Sequence, residues 1–189
     1  MKRTREELVA AFKAIGASYP DARAEAEVDE NQAALASALF LKEAWAAVYP
    51  DDAKAPWIDS WVDDAENRPD GPCAGGGHAL RRMLKLRVRR SDIVDLIRAA
   101  QFETLFGLCQ LLEDGPDSDI PAVGGVAWAV FETDGEGTPT RPLTGLHEEV
   151  LSADPTGREM RPRPRATAKR PRRRTRAKVP RKAPRARRK

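Results

Sequence analysis

The sequence predicts a mostly α-helical body of α+β type with one small β-hairpin, followed by a disordered basic C-terminal tail. Three observations carry that prediction. Apolar residues recur at helical spacing through most of the chain before the acidic stretch EDGPDSDIP. A Gly-containing turn at 134–137 then separates two short runs with strand character. Finally, charge divides the chain. Residues 161–189 hold 16 Lys and Arg and no acidic residue, while residues 1–160 hold 17 basic and all 29 acidic residues, a net charge of −12. An acidic helical domain is therefore expected over 1–157 and the tail over 158–189.

The elements follow in order. Thr4 caps the first helix with Glu7 three residues on, as in a capping box; Leu8, Phe12 and Ile15 form its apolar stripe and Gly16 suits its stop. A second, Ala-rich helix follows Pro20. Its strongest part is 30–48, with Leu35, Leu39, Trp45 and Val48 near helical spacing. Trp57 and Trp61 fall on one face of a short helix starting near Pro56. Residues 67–77, NRPDGPCAGGG, read as a loop. His78 then opens a helix reaching about Arg87, and Ser91 caps the next, which continues to Glu113. That last helix carries Ile93, Leu96, Ile97, Ala100, Leu105, Leu108, Leu111 and Leu112, so its second half is expected at the centre of the core. VAWAVFETDGEGTPTRPL reads as a strand, a turn and a second strand weakened by Pro139 and Pro142, although Val126–Phe131 is too apolar to show a period and a short helix there is the alternative. Thr144 is expected to cap a last short helix.

The tail offers only Val179 as a large apolar residue, too little to offset its ordering entropy. Prolines at 162, 164, 171, 180 and 184 prevent a continuous basic helix, leaving polyproline II and coil. Such a segment lays charge along a phosphate backbone but has no fixed geometry to read base edges. It also lacks aromatic residues on which single-stranded bases would stack. Sequence-tolerant binding to duplex DNA or structured RNA is the expected activity. Its candidate residues are Arg161, Arg163, Arg165, Lys169, Arg170, Arg172, Arg173, Arg174, Arg176, Lys178, Arg181, Lys182, Arg185, Arg187, Arg188 and Lys189. The mixture in AKVPRKAPRARRK resembles, in composition, the disordered C-terminal tails of linker histones and bacterial histone-like proteins. Those of linker histones are Lys-dominated where this one is Arg-dominated, so the resemblance implies a mode of binding alone. The same charge run also allows the tail to fold back on the acidic body.

Other motifs point less far. RRMLKLRVRR at 81–90 and the helix after it have the outline of a helix-turn-helix. However, Arg87 stands where a tight turn commonly has Gly, and Asp92 and Asp95 stand where phosphates would be met. The expected reading is a solvated basic face paired with carboxylates elsewhere in the body. Cys73 and His78 are two ligands where zinc wants three or four, and His147 in GLHEEV is not part of a two-His motif. Gly75–Gly77 have no following Lys-Ser/Thr, as a phosphate loop would need. Cys109 in LFGLCQLL suits core packing, and the acidic residues at 113–119 lack EF-hand spacing. Trp45, Trp57, Trp61 and Trp128 at helical spacing suit a core more than a ligand pocket. Two cysteines make no disulfide framework, Glu6, Glu7 and Lys13 break any signal-peptide core, and no apolar run reaches membrane-spanning length. No cofactor or metal is expected, and no motif supports a reaction, an enzyme with an apolar Trp-lined pocket being a third reading. The leading expectation is a non-enzymatic, cytoplasmic, nucleoid-associated accessory protein, from a GC-rich bacterial genome by its Arg and Ala usage. The alternative is a helical interaction module, a regulator or immunity-type inhibitor, whose acidic body binds a basic protein.

Overall fold

A computed structural model describes residues 3–115 and 127–163. Those residues form seven helices and a two-stranded antiparallel sheet, so the body is mostly helical with one small hairpin. The candidate tail residues from Arg165 onward lie outside the described residues, as does the stretch 116–126.

Helix α1, Arg5–Ile15, starts where its capping box places it: Thr4 Oγ1 accepts from the Glu7 N–H and the Glu7 carboxylate accepts from the Thr4 N–H. Gly16, at φ +75°, ends it in the left-handed conformation. The expected single Ala-rich helix is two helices, α2 (Pro20–Asp29) and α3 (Ala34–Ala46). Asn31 divides them at φ +55°, a conformation Asn tolerates better than most side chains, and the Gln32 N–H closes the end of α2 on the Ala26 carbonyl. The break lets α3 turn back and bury Leu35, Ala38, Leu41 and Trp45, while Leu39 stays exposed.

Helices α4 (Pro56–Asn67) and α5 (Ala74–Lys85) form a tightly packed pair. Helix α5 begins four residues before the expected His78, and Gly75–Gly77 are its first turn instead of a loop. Packing supplies the reason. A Cβ on Gly76 would stand 2.6 Å from the Trp61 ring and one on Gly77 2.5 Å from the Ala65 Cβ, so only glycine lets the backbones approach this closely. Trp61 in turn meets Tyr49 edge-on, and Tyr49 stacks on Trp57 at 4.2 Å.

Helix α6, Arg90–Asp114, is the spine. Its first half packs Ile93 and Val94 against Ile58 and Leu80; its second half turns Phe102, Leu105, Phe106 and Cys109 towards Trp45 and Leu146. The second half is not the centre of the core. Leu108 and Leu111 are 50% and 45% exposed, because among the described residues other elements cover one side of the helix. Ser91 is not its N-cap either; Arg89 holds that position without a side-chain cap. Strands β1 (Phe131–Thr133) and β2 (Pro139–Pro142) are shorter than the sequence suggests. The Asp134 carboxylate closes their turn by accepting the Glu136 and Thr138 N–H groups. Helix α7, Leu146–Glu149, inserts Leu146 into the core with Leu143 and Val150.

Candidate functional site

Residues 154–163, which run across the expected boundary at 157, are bound to the body by hydrogen bonds and ion pairs. Asp154 organises this segment. Its carboxylate accepts from the Thr156 N–H at 3.0 Å, the Thr156 hydroxyl at 2.7 Å and the Met160 N–H at 3.4 Å. The pattern DPT is an Asx turn of the kind short polar side chains make with their own backbone. Asp154 also receives the Arg98 guanidinium at 3.1 Å, and both side chains are almost fully buried. Arg98 donates as well to the Tyr49 carbonyl and lies 5.6 Å from the centre of the Trp45 ring. Burial alone would raise the pKa of Asp154, but the Thr156, Met160 and Arg98 donors outweigh it and hold the carboxyl below its ordinary value.

Further along this segment, two more arginines meet two carboxylates. Arg158 lies 3.0 Å from Asp51 and 3.4 Å from Asp95. The Arg163 Nε donates to Asp95 at 3.0 Å, and its Nη2 donates to Asp51. Arg161, by contrast, is exposed and, among the described residues, pairs only with the nearby Glu159, at 2.5 Å. Of the sixteen candidate binding residues, the structure thus places two: Arg163 sits on the body and Arg161 stands in solvent.

Half of the six basic residues at 81–90 are ion-paired among the described residues. Arg81 meets Glu66 at 3.0 Å, Arg89 meets Asp92 at 2.7 Å and Arg90 meets Asp59. The turn after α5 does take the left-handed form that Gly commonly supplies. Arg87 adopts φ +60° while the Val88 N–H reaches the Met83 carbonyl. The exposed face at the start of α6 presents Asp92, Leu96, Ala99 and Ala100, none of which reads a base edge.

The remaining candidates have structural partners. His78 Nε2 lies 3.1 Å from the Pro69 carbonyl, Cys73 is exposed at the start of α5, and Cys109 is buried in the core. The His147 Nδ1 lies 2.7 Å from Glu113, whose carboxylate also accepts from the Gly145 N–H at the start of α7. Glu113, not Thr144, supplies the missing cap. Burial pushes the Glu113 pKa up, but the Gly145 and His147 donors outweigh it and leave it lowered. Trp45 donates its ring N–H to the Val150 carbonyl at 2.8 Å, and Trp128 donates to Leu111 at 2.9 Å. Among the described residues, no three His, Cys, Asp or Glu side chains are placed to share a metal ion. None of the helices there is long and apolar enough to cross a membrane. A cleft of about 310 Å³ lies between the end of α1, α3 and residues 152–157, with Leu41 and Trp45 in its lining and Arg23 and Lys42 as its cations. Arg23 is already paired with Glu149 at 2.6 Å, which leaves few converging polar groups for chemistry. Set against protein-family models, curated proteins and solved structures, the chain matches none.

Proposed function

We propose that this protein binds duplex DNA or structured RNA without sequence preference, through phosphate contacts made by the basic residues that follow Arg163. The segregation of charge carries this reading: residues 164–189 hold fourteen Lys and Arg and no acidic residue, attached to a body of net charge −12 up to residue 160. Each Lys or Arg that meets a phosphate releases condensed counterions, so affinity comes from the salt gradient and not from base identity. The acidic body itself repels the polyanion and is held beside it as cargo, or as the part that recognises a further partner. Such a protein acts in the cytoplasm, on the nucleoid.

Titration with salt is the test. If about eight basic residues meet phosphates, log K falls against log salt with a slope near −7, alike for duplexes of different sequence. A chain ending at Arg163 loses this binding while keeping every described ion pair of the body. A flat titration, or equal binding after that truncation, overturns the reading.

The outer face of α4 favours a second reading, in which the body binds a basic protein. Asp63 and Asp64 are exposed along that helix between Asp59 and Glu66, which already pair with Arg90 and Arg81. Recovery of one basic protein by the chain ending at Arg163, lost on neutralising Asp63 and Asp64, would favour this reading over the first.

A further inference from the structure

Arg158 and Arg163 stand at the root of the basic segment and share the same two acceptors. Arg158 meets Asp51 at 3.0 Å and Asp95 at 3.4 Å, while Arg163 meets Asp95 at 3.0 Å and also donates to Asp51. The backbone between them is held in place. Asp154 fixes Thr156 and Met160, and Arg158 donates to the Arg161 carbonyl at 2.8 Å. The two guanidinium groups therefore face the acid pair as a preformed set, and their side chains are only 18% and 26% exposed.

A guanidinium offers a carboxylate the same paired donors that it offers a phosphate. Resting on the polyanion reading above, we propose that Asp51 and Asp95 form an autoinhibitory clamp. In it they occupy Arg158 and Arg163 as phosphate mimics and withhold them from nucleic acid. The acid pair is tethered to the same chain, so a phosphate must displace two local competitors at once, at a high effective concentration. Repulsion from the carboxylates it would uncover adds to the barrier. The clamp marks where contact with nucleic acid stops, and it keeps the phosphates away from the acidic body.

Binding of the full chain to a mixed-sequence duplex of about 20 base pairs, followed over a range of salt, tests the clamp because each phosphate contact adds about 0.9 to the slope. Asp51→Asn with Asp95→Asn should free two arginines, steepen the slope by about 1.8 and tighten binding tens-fold at low salt. Adding Arg158→Ala and Arg163→Ala to that variant should remove the extra slope. Asp52→Asn controls for charge alone, since Asp52 lies in the same loop and its carboxylate, among the described residues, accepts only from the Lys54 N–H; it should leave the slope unchanged. Arg158→Ala with Arg163→Ala in the otherwise native chain needs no uncovered arginine to be tolerated, and should also leave the native slope unchanged. A native slope made shallower by that last pair overturns the clamp, as does an Asp51/Asp95 variant whose slope does not steepen. Loss of salt-dependent binding by the native chain itself would instead remove the polyanion reading, and the clamp with it.

Discussion

Residues 154–163 are held to the body by two charged clusters that differ mainly in their access to water. Asp154 meets Arg98 where neither side chain exceeds 2% exposure, whereas Arg158 and Arg163 meet Asp51 and Asp95 at 17–39%. In the dry cluster partners must come from within the protein: Asp154 accepts from two backbone N–H groups and a hydroxyl besides the arginine, while the Arg98 Nε meets no acceptor among the described residues. The wet cluster can exchange each contact for water or for another anion. The dry pair therefore fixes the fold, while the wet one is free to serve as a switch.

Removing one partner of the dry pair is the severest way to break this contrast. Asp154→Ala leaves the Arg98 guanidinium buried without its counter-charge, and should cost about 3–5 kcal/mol of unfolding free energy by denaturant titration. The same carboxylate should set part of the acid limit. Its folded pKa is held below the ordinary value, so its contribution is present above the unfolded carboxylate range near 4 and is lost as pH falls through the folded value. Glu113 is lowered in the same sense. The native chain should lose stability below about pH 4, and Asp154→Asn, already weakened at neutral pH, should show a flatter acid limb.

Glu113 lies between the two extremes, at 15% exposure. Its carboxylate accepts the Gly145 and His147 N–H groups that open α7. Glu113→Ala should cost about 1–2 kcal/mol, the usual loss for a helix cap, and thermal unfolding would show it. A cost as large as that of Asp154→Ala would mean that burial is not what ranks these carboxylates.

Glu113 also shows where sequence stops being informative. A cap supplied within four residues is legible, as Thr4 and Glu7 are. A cap supplied from another element is not: α3 takes its carboxylate from Glu27, which accepts the Leu35 N–H at 2.8 Å, and α7 takes its own from Glu113. Helix stops behave similarly. Gly16 announces one, but Asn31 and Arg87 enter the left-handed region without glycine. The triple glycine misled for a further reason. Its use is the approach of α5 to Trp61 on α4, a contact only tertiary structure reveals; Gly75, beside it, meets nothing within 4 Å. Arg98 did carry a signal, as a lone cation on the stripe of Ile93, Val94 and Ile97, and DPTG marked the turn that receives it. Neither alone named the other as partner. The charge division of the chain, by contrast, needed no structure to be seen.

In the wet cluster, Asp51→Asn or Asp95→Asn alone should cost about 1 kcal/mol or less, because solvent replaces the lost contact. Part of that cost should vanish in about 1 M salt, where screening acts within some 3 Å. The dry pair should keep its full effect under the same conditions. Unfolding curves of the three variants at low and high salt make this comparison directly.

The smallest effect is expected where water reaches both partners fully. Arg5 joins Glu25 across α1 and α2 at 2.8 Å, a shorter contact than that of Arg98 with Asp154, yet the two side chains are 49% and 57% exposed. If distance ranked ion pairs, this one would outrank the buried pair. Because long, hydrated side chains lose entropy on pairing and gain little Coulomb energy in water, Arg5→Ala or Glu25→Ala should shift stability by no more than about 0.5 kcal/mol. Measured in the same denaturant series as Asp154→Ala, a loss of several kcal/mol at Arg5 would show that proximity and not burial governs the charges of this protein.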